Sequence, residues 1–423
     1  MSLDFIKEKK KQLIFIIIFF AVGFTIEFFY RKPLFENSVE IATSVQDNMM
    51  SSTTFFKYWA YLGVIEFFLA IIFFIFFPIS FCFSFFLNMI ITVHLCDFAK
   101  LVYSQGRPFL LDKKVYITCE AGYGNPSGHS FRFTSNLLAF VQMFIDLYQL
   151  NKKYSIIIYT FSAILILSIN FSRIILGVHS INQVIYGDTL GFTVYFIIFH
   201  IIEPHKKDIN KFYNIFLDKK FHIFNIIALI INAISFTIVS ITNEKMELEN
   251  YEELKKKLIE ICGKHENEML SRDAKTKILY IFAYYGMIYG MTLLTYFVKN
   301  HYYQKYEELN YYYKNTRANK FVTYGTRILF TIIGYSPLIC IYTNKNIDIY
   351  IVYVLASAFP MFLFGFILFS INYILTILLN LANVDLYINA NHKGNKINNE
   401  NLLGISVTQE KTNEENLLEE KNN

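Results

Sequence analysis

The sequence predicts an all-α protein that crosses a membrane many times. Of its 423 residues, 54% are hydrophobic and 18% are aromatic, and the mean hydropathy is positive. The apolar residues come in long blocks, for example 13–30, 61–77 and 154–171. At a rise of about 1.5 Å per residue, helices of that length cross a hydrocarbon core of about 30 Å. We therefore expect a polytopic membrane protein with about nine or ten transmembrane helices.

The predicted spans follow one another along most of the chain. The first follows a group of lysines at 7–11, and we expect it to be a retained anchor with these lysines in the cytosol; the alternative is a signal peptide. The last block is long enough to be kinked, and Pro360 is the candidate position. The approximate limits of the spans are 12–30, 60–78, 80–100, 127–148, 154–172, 183–202, 221–242, 275–297, 323–343 and 348–383.

The basic loops predict the sidedness of the protein. With a cytosolic N-terminus, the Lys- and Arg-containing loops 151–153, 203–220 and 298–322 all lie in the cytosol, as the positive-inside rule requires. The loop 243–274 falls on the other side although it also carries lysines, which are mixed with glutamates. The net charge of +5 is thus explained by membrane topology, and no nucleic-acid partner is expected.

Composition also suggests a division of the chain. We expect a basic N-terminal segment with an additional transmembrane helix at 1–44, a membrane-embedded domain at 45–385 and a disordered cytosolic tail at 386–423. The 5 cysteines show no C-x-x-C spacing and predict neither a disulfide framework nor a zinc site. No P-loop or other cofactor motif is present, so no cofactor or metal is expected.

Three polar clusters interrupt the apolar pattern, KLVYSQGRP at 100–108, GNPSGH at 124–129 and SRIILGVH at 172–179. About two membrane crossings separate the second cluster from the third, and the first closes the preceding span. All three clusters are therefore expected on the same, non-cytosolic face. Together they carry three fixed cations and two histidines: Lys100, Arg107, His129, Arg173 and His179.

This set of side chains predicts a site for a dianionic phosphate group. Arginine matches phosphate oxygens with a planar fork of donors, and lysine adds a point charge. Asn125 is expected to cap a helix whose first turn presents the N–H groups of Ser127 and Gly128 to an anion. Of the two histidines, one can attack phosphorus and the other can transfer protons.

The motifs K-x6-R-P, P-S-G-H and S-R-x5-H resemble the signatures of the type-2 phosphatidic acid phosphatase superfamily. The superfamily includes lipid phosphate phosphatases, vanadium haloperoxidases and glucose-6-phosphatase. Within it the chain looks most similar to glucose-6-phosphatase, because Cys119–His129 matches a C-E-x-G-x-G-x-P-S-G-H run and Gln183 stands where the general motif has Asp.

The resemblance implies a helical phosphatase core with His179 as nucleophile and His129 as general acid. It implies that Lys100, Arg107 and Arg173 bind the phosphate group, helped by Ser127 and Gly128. It further implies hydrolysis of a sugar phosphate, most simply glucose 6-phosphate, in the endoplasmic reticulum membrane with a lumenal site. A sugar-phosphate transporter is the expected partner. Glu120 is an additional candidate, for binding sugar hydroxyls.

The same motifs are compatible with two other functions. A lipid phosphate phosphatase would use the same basic site, and a non-enzymatic transporter or scaffold on the same fold is a third hypothesis.

Gln183 would stabilise a cationic imidazole less than Asp does, and Asp188 is too far along the helix to replace it. Arg132 is either a fourth phosphate contact or a surface charge. Glu27 and Glu66 are interpreted as groups that pair or line a cavity within the spans, and Asp97 either pairs with Lys100, lines the cavity or has a catalytic role.

Overall fold

The computed structural model supports the predicted fold class. Its described residues are α-helical with connecting turns and contain no strand. Predicted span 60–78 from residue 62 onward, most of span 323–343, most of the loop 243–274 and the tail 386–423 lie outside them. The described residues are 3–48, 50–61, 79–111, 115, 120, 123–202, 214–235, 238–239, 256, 279–302, 328–329, 332–333, 350–371 and 374.

Most of the long helices coincide with apolar blocks of the sequence, but Arg31–Asn48 and Met50–Tyr61 are helices that lie largely between the first two predicted spans. A π-helical turn, Ile197–Ile202, extends the eighth helix, and Pro360 lies inside the last one. Residues 219–235, in the predicted span 221–242, are also helical. The helices labelled here are α1 Leu3–Phe29, α2 Arg31–Asn48, α3 Met50–Tyr61, α4 Ile79–Tyr103, α5 Pro108–Leu111, α6 Gly128–Tyr148, α7 Lys152–Ile175, α8 Ile181–Phe196, α9 Leu279–Tyr302 and α10 Tyr350–Phe369.

Within the described part of the chain, 4 helices are long and apolar enough to cross a membrane. They are Lys9–Phe29, Phe81–Tyr103, Lys152–Ile175 and Ile181–Ile202, and they correspond to four of the predicted spans. Helices α6 and α9 correspond to the predicted span 127–148 and to the described part of the span 275–297, although they fall outside that set.

Helices α6 and α8 approach each other closely because α8 carries two glycines one turn apart. A Cβ atom on Gly187 would lie 2.8 Å from the carbonyl oxygen of Ser127, and one on Gly191 would lie 2.5 Å from that of Phe131. Small residues at this spacing let two membrane helices bring their backbones together. The contact fixes the start of α6 against the start of α8.

Helix α1 packs along α8 in the opposite direction. At one end, Lys9 Nζ donates to the carbonyl oxygen of His200 at 3.1 Å. Further along, the rings of Phe19 and Phe192 lie 4.6 Å apart, and Gly23 faces the side chain of Thr189. The N-terminal helix is thus part of the helix bundle, and the proposed division at residue 44 falls inside α2.

Candidate active site

The three polar clusters meet where four helices end or begin. Lys100 lies in the last turn of α4 and Arg173 in the last turn of α7, while α6 begins at Gly128 and α8 begins two residues after His179. Hydrogen bonds link the clusters directly, since Gly124 N donates to Gln105 O and Ser127 N donates to Gln183 O. The structure therefore brings together the segments that the sequence predicted to share one face.

The turn between Arg173 and His179 depends on a glycine. Gly177 has φ of +67°, in the left-handed region that favours glycine, and a Cβ atom there would overlap the side chain of Val115. The carbonyl oxygen of Gly177 accepts from Phe109 N at 3.3 Å, which ties the turn to the start of α5. This turn places His179 beside the segment that follows Arg107.

Two polar residues of α2 support the same turn, and the sequence interpretation did not identify them. Ser38 Oγ accepts from Ile181 N at 2.7 Å, at the start of α8, and Gln46 Nε2 donates to Ile175 O at 2.8 Å, at the end of α7. Each bond satisfies a backbone group that a helix end leaves open. Their spacing, eight residues along one helix face, was the available signal.

The expected helix start at Asn125 is wrong. Helix α6 begins at Gly128, and its N-cap is Ser127, whose side chain accepts from Ser130 N. The side chain of Asn125 is held elsewhere, since its Nδ2 donates to Glu27 Oε1 at 2.8 Å, and its Oδ1, the atom that would cap, has no hydrogen-bond partner among the described residues. Asn125 and Pro126 are joined by a cis peptide bond. The helix therefore begins later than predicted, and the N–H of Ser127, which was expected to face an anion, donates instead to Gln183 O.

The neighbours of His179 select one tautomer of its ring. Nδ1 lies 2.9 Å from the carbonyl oxygen of Gly124, which can only accept, so Nδ1 must carry the proton. On the other side, Arg107 Nη1 lies 3.1 Å from Nε2, and a guanidinium can only donate. Both contacts leave the lone pair on Nε2. A backbone carbonyl therefore supplies the orientation that the sequence interpretation sought from a carboxylate.

Gln183 is buried beneath this histidine and supports the loop around it. Its Oε1 accepts from Ser180 N at 3.2 Å and lies 3.4 Å from His179 Nδ1, while its Nε2 donates to Gly106 O at 3.1 Å. The Gly106 contact needs an amide donor, which a carboxylate at this position would lack. Gln183 thus contributes to the orientation of His179 as the second, longer acceptor.

The two arginines share one carboxylate. Arg107 Nη1 donates to Glu120 Oε2 at 3.0 Å, and Arg173 Nη2 donates to Glu120 Oε1. Burial alone would raise the pKa of the Glu120 carboxyl, but the charges of Arg173 and Arg107 outweigh it and hold that pKa well below its usual range. Glu120 therefore lies between the two guanidinium groups as a negative charge, where the sequence interpretation had it beside the substrate sugar.

Arg173 retains an unused donor in this cluster. Its side chain is only 2% exposed, and its Nε atom has no hydrogen-bond partner among the described residues. A buried guanidinium N–H without an acceptor is costly, and an anionic ligand oxygen would satisfy it. This atom is an independent indication that an anion binds here.

Lys100 and His129 complete the predicted set. The Nζ atom of Lys100 lies 3.5 Å from the position that a Cβ atom on Gly128 would occupy, so the lysine reaches the start of α6. His129 is partly buried, and its imidazole ring lies close enough to Arg173, Glu120 and Lys100 to interact with their charges. Arg132 Nε donates to Gly128 O at 3.3 Å, so the guanidinium group of Arg132 contacts the first turn of α6.

The surroundings of His179 favour the neutral form of its imidazole ring. Burial is the main cause, followed by the charges of Arg107 and Arg173, and together they lower the pKa of the imidazole well below its usual range.

Asp188, which the sequence interpretation judged too distant to help, instead accepts from Thr134 at 2.6 Å and from Asn170. Among the described residues, no group of His, Cys, Asp and Glu is placed to hold a metal ion.

The fold and the site together define a class of protein: a helical membrane protein with a site of arginine, lysine and histidine suited to a phosphate ester. Residues 77–207, which contain all three motifs, match the family model described as the PAP2 superfamily. The resemblance stated above is thus supported at the level of the superfamily. The first 76 residues, with α1 and α2, lie outside the match.

Comparison with solved structures gives a similar chain in the crystal structure of a transmembrane PAP2-type phosphatidylglycerolphosphate phosphatase from Bacillus subtilis. The similarity covers 47% of this chain and 96% of that chain, with 19% sequence identity and a TM-score of 0.38. A comparison with curated proteins found no match.

Proposed function

We propose that the protein hydrolyses a phosphate monoester through a phosphohistidine on His179, and that its substrate is a sugar phosphate, most simply glucose 6-phosphate. The observation that carries the proposal is the fixed tautomer of His179. Gly124 O holds the proton on Nδ1, and the Nε2 lone pair faces Arg107, a phosphate-binding candidate. A nucleophile and an anion-binding group are then within 3.1 Å of each other.

In the binding step, the phosphate dianion takes the acceptor position now held by the Glu120 carboxylate. Arg107 and Arg173 turn their N–H groups to its oxygens, and the Nε of Arg173 gains a partner. Lys100 and the first turn of α6, at Ser127 and Gly128, contribute further positive potential. Neutralising the equatorial oxygens in this way is the main electrostatic requirement of phosphoryl transfer.

In the first chemical step, His179 Nε2 attacks phosphorus, the bond from phosphorus to the ester oxygen breaks, and His129 donates a proton to that oxygen as the alcohol leaves. In the second step, His129 accepts a proton from water, whose oxygen attacks phosphorus while the phosphorus–nitrogen bond breaks. Inorganic phosphate leaves, and both histidines return to their starting states. Such proton transfers typically contribute about 10²- to 10⁴-fold to the rate.

Two sequence features favour a sugar phosphate over a lipid phosphate. They are the run Cys119–His129 and the glutamine at position 183, both of which resemble glucose-6-phosphatase. Cys119 itself lies outside the described residues. With the same resemblance we propose a site facing the lumen of the endoplasmic reticulum, substrate delivery by a sugar-phosphate transporter, and a phosphatase domain spanning 45–385.

A lipid phosphate is the second candidate because the site adjoins exposed apolar helix surface. Val102, two residues after Lys100, is 50% exposed, and Phe171, two residues before Arg173, is 48% exposed. Apolar surface at this level in a membrane protein contacts acyl chains, so a lipid headgroup could enter the site sideways. This observation concerns access and does not bear on the hydrolytic chemistry.

The test is phosphate release by the purified full-length protein from glucose 6-phosphate and from phosphatidate, compared at equal concentration. We expect the sugar phosphate to be hydrolysed faster and His179→Ala to reduce the rate to background. The matched control is His222→Ala, because His222 stacks on Tyr289 and takes no part in the site. Faster hydrolysis of phosphatidate would select the second candidate, and full activity in His179→Ala would exclude the phosphohistidine.

A further inference from the structure

We propose that Glu27, in the first transmembrane helix, is a positioning residue of the active site. It acts through Asn125, which lies in the segment 124–129 that orients His179 and carries His129. The inference rests on the proposed phosphatase function and adds to it a part of the chain that lies before the matched residues 77–207. Its basis is one group of buried contacts between α1 and that segment.

Glu27 makes three close polar contacts although its side chain is completely buried. Arg31, one turn later, contacts both carboxylate oxygens, with Nε 2.8 Å from Oε1 and Nη2 3.0 Å from Oε2. The third contact joins distant parts of the chain, because Asn125 Nδ2 donates to Glu27 Oε1 at 2.8 Å. Both Glu27 and Asn125 are 0% exposed.

The bond to Asn125 is not needed to neutralise Glu27. Arg31 already provides an opposite charge in bidentate geometry, which is what a buried carboxylate requires. The additional bond instead uses the carboxylate to hold an amide 98 positions away. Asn125 Oδ1 has no partner among the described residues, so the Glu27 contact is the one that anchors this side chain there.

Asn125 stands directly beside the groups that the chemistry needs. Gly124, the preceding residue, supplies the carbonyl that orients His179 Nδ1. Ser127, two residues later, caps the helix that presents His129. A shift of the peptide at Asn125 would therefore move both the nucleophile's acceptor and the proton donor, and misplacement of about 1 Å is enough to reduce a rate by about 10²-fold.

Packing of α1 holds Glu27 at the level of Asn125 in the helix bundle. Phe24, one turn earlier, contacts the ring of Tyr186 on α8 at 6.5 Å, and Arg31 lies over the ring of Tyr103 at the end of α4. The first contact ties α1 to α8, and the second ties the start of α2, where the ion-pair partner of Glu27 lies, to the end of α4. The carboxylate is thus carried by a fixed element, as a positioning group requires.

The experiment reverses the polarity of the bond between Glu27 and Asn125. Asn125→Asp turns the donor into an acceptor that repels Glu27, and we expect kcat to fall by about 10²-fold while KM changes less. In the double variant Glu27→Gln, Asn125→Asp, the new amide can donate to the new carboxylate, and we expect kcat to return to within about tenfold of the wild type. Exposed positions supply the controls, Asn37→Asp and Glu40→Gln on α2.

Two results overturn the proposal: wild-type kcat in Asn125→Asp, or a double variant no more active than Asn125→Asp. If Asn125→Asp does not yield folded protein, Asn125→Ala, which removes the donor, replaces it, and wild-type kcat in that variant has the same meaning. If the wild type hydrolyses neither glucose 6-phosphate nor phosphatidate, the proposed function fails separately. The positioning role is then judged by the rise in Tm that inorganic phosphate causes, which must shrink in Asn125→Asp and recover in the double variant.

Discussion

Replacing Gly191 by alanine tests whether the close contact of α6 and α8 sets the catalytic geometry. The added Cβ atom would lie 2.5 Å from the carbonyl oxygen of Phe131, whereas ordinary contacts begin at 3.4 Å. Because the obstacle is backbone, the helices themselves must separate, by about 0.9 Å. His129 lies near the start of α6 and His179 just before α8, so we expect kcat to fall by about 10²-fold and the protein to lose about 1–3 kcal/mol of stability.

The matched control is Gly290→Ala in α9. Its Cβ atom would also meet a backbone carbonyl, that of Phe366 at 2.8 Å, but in the α9–α10 pair, which contributes no residue to the site. Thermal unfolding and steady-state kinetics of the two purified variants separate stability from catalysis. We expect both variants to lower Tm and only Gly191→Ala to lower kcat. Equal kcat values in the two folded variants would refute the argument from helix spacing.

Three further predictions concern groups around His179. Glu120→Gln removes a negative charge that favours the imidazolium, so the acid limb of the kcat/KM profile should move to lower pH, and inhibition by inorganic phosphate should strengthen. Gln183→Asp adds such a charge, so the acid limb should move to higher pH; Tm should fall because Gly106 O loses its donor. Ser38→Ala removes the acceptor for Ile181 N, and we expect a loss of about 1 kcal/mol in thermal unfolding, with no change in the pH profile. Shifts of the first two profiles in the same direction, or an unchanged Tm for Ser38→Ala, would contradict these assignments.

The meeting of the three motifs was predictable because membrane crossing restricts topology. A helix of about 20 residues must end on the opposite face, so Lys100, Gly128 and Arg173 were assigned to one side by counting spans. The residue types then indicated the chemistry, since a buried anion site needs fixed cations and phosphoryl transfer needs a base. These inferences used only the lengths and order of the apolar segments and the identity of the polar side chains between them.

The supporting contacts were not predictable because they join residues far apart in the chain. Glu27 and Asn125, or Ser38 and Ile181, meet only when α1 and α2 pack against the bundle. The helix start was misplaced for a related reason, since Asn125 has a good local preference for the cap position but its side chain is held by a distant buried carboxylate, and Ser127 is the cap. Local preference alone therefore did not locate the N-cap.

The use of a backbone carbonyl to orient His179 suits its proposed role as nucleophile. A carboxylate on Nδ1 would favour the imidazolium and raise the pKa of the ring, whereas the carbonyl of Gly124 fixes the tautomer without adding a full charge. Burial and Arg107 then keep the pKa of the imidazole low, so Nε2 is unprotonated near neutral pH, and its lone pair is free to attack once Arg107 turns to the phosphate. Gln183 fits this arrangement, because its neutral amide braces Ser180 and Gly106 while leaving the charge of the site to the substrate and the arginines.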